Sequence, residues 1–137
     1  MAAGFLLRLD DPTMPDAATI ATWRDDEARC CDLEAAVDGV AFLLGDVGAF
    51  LAPHEGTPLR VMSPSEVVSL ATTIESLRAN QVRARLESAE LTRVEPFAGP
   101  LGDDDKEWLL AVLQAVMVFV RRAANDGAAI LPVVTNS

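Results

Sequence analysis

The stretch GDDDKEWLLAVLQAVMVFVRRAANDGAAILPVV, residues 102–134, contains the longest apolar run of the chain. Its aspartates at 103–105 place negative charge at the N-terminal end of a helix, where the helix dipole favours it. The arginines at 121–122 place positive charge near the other end, and Asn-Asp-Gly at 125–127 is a typical stop signal. The apolar run at 108–120 is shorter than the roughly 17–25 residues that cross a bilayer. The stretch therefore predicts a long, buried C-terminal helix.

Three short segments have the character of strands. Phe5 to Leu9 is apolar apart from one arginine and is followed by Asp-Asp-Pro, and residues 59–62 and 128–134 are the other two segments. Pro132 has no N–H group, so the last strand must lie at an edge or contain a bulge. Together these signals predict an α+β fold, in which several helices pack on a small sheet of about three short strands. We expect one domain over residues 1–137.

Further helix signals lie between these strands. The sharpest is Ser63-Pro64-Ser65-Glu66, in which the serine and the glutamate can cap each other's backbone N–H groups and proline occupies the first helical position. Thr13 or Asp16 can cap an earlier short helix that carries Trp23. Residues 80–87 predict another short helix, because two apolar side chains lie one turn apart on a charged segment.

The segment between Trp23 and Ser63 is predicted as a helix followed by a loop. Asp32 can accept hydrogen bonds from free backbone N–H groups, and apolar residues then recur at helical spacing until Gly45. A second helix should therefore start near Asp32. Residues 45–58 contain three glycines and two prolines, which predicts a long loop and a place to look for function.

The composition limits the classes of function. Asp and Glu total 21 and Lys and Arg total 11, so the net charge is 11 − 21 = −10. This charge argues against binding to nucleic acid or to an anionic membrane, since both require basic residues. The acidic start of the chain and its two cysteines, the adjacent Cys30 and Cys31, indicate neither a signal peptide nor a disulfide framework. We expect a cytoplasmic protein without a cofactor.

Two segments resemble a known family. Residues 32–44, DLEAAVDGVAFLL, and residues 59–67, LRVMSPSEV, are similar to the YfbM-like family of bacterial proteins of unknown function, domain of unknown function 1877. That family carries a D-L-x-K-x-W-H-G-x-H-F-L-L segment, a strand ending in a threonine-proline helix cap, and an acidic stretch before a long C-terminal helix and a final strand. The order is matched from about Leu6 to Val134. The resemblance implies a small α+β fold and no known chemistry.

The departures from the family pattern bear on any site. The family's Trp-His-Gly-x-His positions appear here as residues 37–41, VDGVA, so the tryptophan and both histidines are absent. The tyrosine that is common before the helix cap is Val61 or Met62, and the chain contains no tyrosine. If relatives build a site from those residues, this chain lacks it.

We predict no catalytic residue and no metal ligand, but two enzymatic alternatives stay open. In the first, His54, the only histidine, takes a proton from Cys30 or Cys31 in a small hydrolase. In the second, clustered carboxylates such as those at 25–27 and 103–105 hold a divalent cation. A helix cap and a solvated surface explain the same carboxylates without a metal.

The negative charge is unevenly distributed. Residues 1–66 hold 12 acidic and 4 basic side chains, a balance of 4 − 12 = −8, whereas residues 67–137 hold 9 and 7, a balance of 7 − 9 = −2. An acidic surface in the first half would attract a basic protein partner. The same charge also fits the alternative that it only keeps an apolar chain soluble. Small acidic bacterial proteins without catalytic groups include immunity proteins, which neutralise a toxin by covering it. We therefore predict a non-enzymatic protein-binding module, with an immunity-like role as one form of it.

The predicted partner-binding residues combine aromatic, charged and polar side chains of the first half. They are Trp23, Asp25, Asp26, Glu27, His54 and Glu55. Tryptophan is enriched at interface hot spots, and carboxylates pair with a basic partner. The sequence leaves the choice between a monomer and a homo-oligomer open.

Overall fold

Helices and strands follow one another in an α+β order. The computed structural model describes residues 2–51, 59–88, 90–91, 94 and 101–136. In chain order, the elements are β1 (Ala2–Leu9), α1 (Ala17–Arg24), β2 (Cys30–Glu34), α2 (Val37–Leu44), a 3₁₀ helix (Gly45–Leu51), α3 (Pro64–Glu75), α4 (Ala79–Leu86), α5 (Asp103–Asn125) and β3 (Ala129–Asn136). The strands form an antiparallel sheet in the order β2-β1-β3. The predicted fold class is confirmed.

The sheet buries side chains on both of its faces. Alternate residues of β1 point to opposite sides. Leu6 lies on the side of α5 and joins the larger core cluster, which includes Val116 of that helix. Leu7 lies on the other side, where α1 adds the half-buried Ile20 and Trp23 to a second, smaller cluster. The short helix α1 and the layer formed by the longer helices therefore cover opposite faces of the sheet.

Helix α5 buries one stripe of its surface against the sheet and α3. The stripe consists of Leu109, Leu113, Val116, Val120 and Ala123. Trp108, at the start of the apolar run, is half-buried against the same core, while Val118 on the outer side is 43% exposed. The long C-terminal helix is thus confirmed as a core helix along one face. No helix in the described part of the chain is long and apolar enough to cross a membrane.

The ends of α5 follow the predicted signals. Asp105 Oδ2 accepts a hydrogen bond from Gly102 N–H at 3.1 Å, so one of the three aspartates caps the start of the helix. The helix ends at Asn125, and Gly127 then adopts a left-handed conformation with a φ of 67°. Glycine favours this conformation because it has no Cβ. The chain can therefore turn sharply into β3.

The predicted capping box is present at the start of α3. Ser63 Oγ accepts a hydrogen bond from Glu66 N–H at 3.3 Å, and Glu66 Oε1 accepts one from Ser63 N–H at 3.4 Å. The Glu66 carboxylate also accepts two hydrogen bonds from the Arg60 guanidinium, at 3.0 and 2.6 Å. These contacts fix the angle at which the chain enters α3. The predicted short helices are confirmed as α1, capped by Asp16, and α4.

The helix predicted to start near Asp32 is wrong in its first part. Cys30–Glu34 forms β2, and α2 begins only at Val37. Buried and exposed residues alternate along this segment with a period of two, as in a strand, and pairing with β1 outweighs the local helix signal. Asp32 Oδ1 accepts a hydrogen bond from Glu34 N–H at 2.9 Å, which is a local turn contact and not a helix cap.

The strand predicted at 59–62 is reduced to a single bridge. Met62 and Ile130 exchange two backbone hydrogen bonds, at 2.7 and 3.2 Å. The next outward-facing position of β3 is Pro132, which has no N–H to donate. The ladder therefore stops after one pair, and the third strand of the sheet is β2 instead. Pro132 does lie on an edge strand, as the sequence predicts.

The long loop predicted at 45–58 is helical in its first half. Gly45–Leu51 forms the 3₁₀ helix, in which Gly48 and Leu51 are buried. Gly48 packs so closely that a Cβ at this position would lie 2.5 Å from the carbonyl oxygen of Ala41. The close approach of these two backbones therefore requires glycine. Residues 52–58 lie outside the described residues.

Candidate partner-binding site

Helix α1 places Trp23 at the surface of the sheet. Asp16 Oδ1 accepts a hydrogen bond from Thr19 N–H at 2.7 Å at the start of the helix, and this contact lowers the pKa of Asp16 below its ordinary value of 3.8. No residue of α1 is fully buried, but Ile20 and Trp23 are half-buried against the smaller core cluster. The helix therefore lies on the sheet as a thin cover that ends beside the predicted acidic cluster.

The acidic turn, residues 25–27, is organised around Asp26. Asp26 Oδ1 accepts a hydrogen bond from Ala28 N–H at 2.9 Å, and the Asp26 carbonyl accepts from the N–H groups of Arg29 and Cys30 at 3.0 and 2.9 Å. Asp26 therefore holds the turn that leads from α1 into β2. Asp25 and Glu27, on either side of it, are exposed.

Two arginines lie over aromatic rings at the same place. The Arg29 guanidinium is 4.7 Å from the centre of the Trp23 ring, and the Arg24 guanidinium is 4.9 Å from the centre of the Phe5 ring. Arg29 also forms ion pairs with Asp26 at 3.7 Å and with Asp10 at 3.5 Å. The chain's own cation thus covers part of the tryptophan and fixes its orientation.

The structure brings together four of the six predicted partner-binding residues. Trp23, Asp25, Asp26 and Glu27 lie within one helix end and one turn, while His54 and Glu55 fall outside the described residues. Sequence reasoning missed Arg29, which lies over Trp23 only because the turn brings the chain back. The spacing of six residues in sequence carries no signal of that contact.

The two cysteines point to opposite faces of the sheet. Cys31 belongs to the cluster beside α5, and Cys30 packs against the cluster beside α1. Burial raises the pKa of each thiol to about 11, and the charge of Asp32 adds to the shift at Cys30. Both thiols are therefore protonated near neutral pH, and a protonated thiol is a poor nucleophile. His54, the base of the hydrolase alternative, lies outside the described residues.

The carboxylate clusters serve local structure. Asp11 Oδ1 accepts hydrogen bonds from the N–H and the hydroxyl of Thr13, at 3.0 and 2.7 Å. Asp26 holds its turn and Asp105 caps α5, as described above. Within the described ranges, no group of three or more Asp, Glu, His or Cys residues is placed to hold a metal ion.

Two grooves flank the edge strand β2. The α1 groove, of about 730 Å³, lies between α1 and the sheet and is lined by Phe5, Ile20, Arg24, Asp25, Asp32 and Val133, among others. The α5 groove, of about 500 Å³, lies between the start of β2 and the outer side of α5 and is lined by Arg8, Cys30, Cys31, Val118, Phe119 and Arg122, among others. Neither groove is predicted from the sequence, because a helix is expected to start near Asp32, where the structure has the strand β2.

Comparison with solved structures identifies the architecture. The crystal structure of YfbM from Escherichia coli, a protein of unknown function, matches 97% of this chain and 99% of its own, with a TM-score of 0.63 and 17% sequence identity. The chain has the fold of YfbM. The resemblance expected from residues 32–44 and 59–67 is thus confirmed for the fold. No family model and no curated protein matches the chain.

Proposed function

We propose that this chain is a non-enzymatic protein-binding module whose acidic first half takes a basic protein partner. The observation that carries the proposal is the placement of Trp23 and exposed carboxylates around one turn, beside the α1 groove. A partly exposed tryptophan next to this groove offers an anchor, and the carboxylates around it offer charge for a basic partner.

The charges at this surface are not equivalent. Arg29 is paired with Asp26 and Asp10, so these two carboxylates are already partly neutralised within the chain. Asp25, Glu27 and Asp32 are exposed, and Asp25 and Asp32 line the α1 groove. With −8 of the net charge of −10 in residues 1–66, these groups lie in the half of the chain that attracts a cationic protein most strongly.

The thiol chemistry supports a binding role over catalysis. Burial raises the pKa of each thiol to about 11, so each is protonated near neutral pH and is a poor nucleophile. An immunity-like role, in which the chain covers a basic toxin and neutralises it, is the form of this proposal that matches a small acidic module. A toxin gene beside the gene for this chain would support that form.

A capture experiment tests the proposal. The chain is immobilised, exposed to lysate of its source cell, and compared with the double variant Asp25→Lys/Glu27→Lys, which leaves the structural Asp26 in place. The matched control is Glu90→Lys/Glu107→Lys, which changes the net charge equally at two exposed positions of the second half.

The expected result is a basic protein that wild type and control retain and that Asp25→Lys/Glu27→Lys loses. That protein, once purified, should form a defined complex whose affinity falls as salt rises, because the attraction is between charges. A capture profile that is the same for all three chains would contradict the proposal.

A further inference from the structure

The two edges of the sheet differ in how they meet solvent. On β3, Met62 already bonds to Ile130, and Pro132 removes the next outward donor, so this edge cannot accept a regular strand. The strand β2 contains no proline. Among the residues that the structure describes, no strand pairs with the outer edge of Cys30–Glu34.

The hydrogen-bonding direction of each β2 residue follows from one contact. Arg8 N–H donates to the Arg29 carbonyl at 2.7 Å, so Arg29 and, two residues later, Cys31 face β1. Cys30 and Asp32 therefore direct their backbone groups outward. The Cys30 N–H donates to the Asp26 carbonyl at 2.9 Å. Within the described residues, the Cys30 carbonyl and both backbone groups of Asp32 form no bond outside the sheet and can pair with a partner.

The grooves on either side would receive alternate side chains of an added strand. A residue opposite Asp32 would project to the same face as Asp32, into the α1 groove, where Asp25 also lies. The neighbour opposite Cys31 would project to the other face, into the α5 groove, where Val118 is exposed beside Phe119. One side chain therefore meets carboxylates and the next meets apolar surface.

We propose that the outer edge of β2 binds an extended segment of a basic partner protein by strand addition. A lysine or arginine of that segment lies opposite Asp32, and the apolar side chain opposite Cys31 enters the α5 groove. Backbone hydrogen bonds to Asp32 fix the register, and the alternation of basic and apolar residues gives selectivity. The inference rests on the proposed function and specifies how the partner is held.

Charge repulsion disfavours a second copy of this chain as the partner at the β2 edge. Two β2 strands paired antiparallel about Asp32 would place the two Asp32 carboxylates opposite each other, and like charges in that position are destabilising. Each copy also carries a net charge of −10. A basic segment removes both objections.

Amide hydrogen exchange, measured by NMR on the full ¹⁵N-labelled chain, tests the inference. The probe is a nine-residue peptide that alternates valine and lysine, and the control peptide has the same composition with its lysines grouped at one end. In the free protein, the Asp32 N–H should exchange at least tenfold faster than the Cys31 N–H. The alternating peptide should slow the Asp32 N–H at least tenfold, and the grouped peptide should not.

Single substitutions test the backbone, charge and apolar contacts of the peptide one at a time. Asp32→Pro removes the outward N–H without breaking a bond to β1, and Asp32→Asn keeps that N–H but removes the charge. Each should weaken binding of the alternating peptide at least fivefold. Val118→Gln should also weaken it, whereas Val68→Gln, at a similarly exposed position of α3 that lines neither groove, should not. Circular dichroism checks that each variant is folded, and Asp32→Asn carries the test if Asp32→Pro is not.

Three results would overturn the inference. The first is slow exchange of the Asp32 N–H in the free chain, which would mean that another part of the chain covers the edge. The second is equal binding of the two peptides, and the third is dimerisation of the free chain through β2.

The two proposals can also fail separately. If capture depends on Asp25 and Glu27 but Asp32→Pro and Asp32→Asn bind as wild type does, the proposed function stands and strand addition fails. If the peptide protects Asp32 but no partner depends on Asp25 and Glu27, strand addition stands and the proposed function fails.

Discussion

Asp32 on β2 lies directly opposite Phe5 on β1, and both residues line the α1 groove. A carboxylate at the outer edge of the sheet thus shares one wall of the groove with a buried aromatic ring. Arg24 of the chain itself already lies over that ring at 4.9 Å. This is a surface on which a long basic side chain can lay its apolar stem on the groove and direct its charged end to the carboxylates.

The contact between Arg29 and Trp23 should contribute measurably to stability. We expect a coupling free energy of about 0.5–1 kcal/mol, the range for an exposed cation over an aromatic ring. A double-mutant cycle of Arg29→Met and Trp23→Leu, followed by urea unfolding, measures it. The same cycle with Arg83→Met, an exposed arginine of α4, is the control and should give a coupling near zero. Equal coupling in both cycles would mean that Arg29 does not hold Trp23.

Ser63, which caps α3, should contribute more to the free energy of unfolding than an ordinary surface serine does. Ser63→Ala removes the hydroxyl that accepts from Glu66 N–H and should lower the free energy of unfolding by about 1 kcal/mol. Urea unfolding of this variant is compared with Ser69→Ala, at an exposed position inside the same helix, which should be neutral or slightly stabilising. If the two variants are equally stable, the cap does not stabilise α3.

The stabilising effect of Glu66 should depend on pH in one direction. Arg60 and the Ser63 backbone hold the pKa of Glu66 below its ordinary value of 4.5. Because the folded state favours the ionised form, this stabilisation is present above the ordinary pKa and is lost as pH falls through the lowered one. The stability difference between wild type and Glu66→Gln should therefore be constant near neutral pH and shrink below 4.5.

The partner of Glu66 supplies the control for that titration. Arg60→Gln removes the larger cause of the shift, so the pH-dependent part of the Glu66→Gln difference should become smaller in an Arg60→Gln background. Stability is measured by urea unfolding at a series of pH values. A Glu66→Gln difference that grows as pH falls would contradict the assigned direction.

The cysteines should be slow to react in the folded state. A thiol pKa of about 11, compared with the ordinary value of 9.0, lowers the thiolate fraction at pH 8 by about 100-fold. We expect alkylation by iodoacetamide at pH 8 to be at least tenfold slower in the native chain than in urea, because the higher nucleophilicity of a more basic thiolate offsets part of that loss. Mass spectrometry of the Cys30-Cys31 peptide follows the reaction. A thiol that reacts faster in the native chain would restore the hydrolase alternative.

Local signals predicted the elements whose contacts are local. Ser63 and Glu66 are three residues apart, so their mutual capping can be read directly from sequence. The acidic start of α5 and the turn at Gly127 are similar cases. β2 was missed because its stability comes from pairing with β1, as between Leu6 and Cys31, which are distant in sequence. Without knowledge of that pairing, the apolar side chains at 33–44 fit a helical stripe as well as they fit a strand.

In the candidate site, too, the contacts between sequence neighbours were predictable and the contacts set by the fold were not. Trp23 and residues 25–27 are neighbours in sequence, so their grouping needs no tertiary information. Arg29 over Trp23 depends on the turn held by Asp26, and the position of Asp32 in the α1 groove depends on the register of β1 and β2. These contacts follow from the fold and not from residue spacing.

We propose that exposed carboxylates around Trp23 bind a basic protein. The most direct measurement is calorimetric titration of the captured partner into wild type, Asp25→Lys/Glu27→Lys and the control Glu90→Lys/Glu107→Lys. We predict that the first double variant raises Kd at least tenfold and that the control, with the same change in net charge, raises it less than threefold. Equal Kd values for the two double variants would contradict the claim, because the attraction would then depend on net charge and not on this surface.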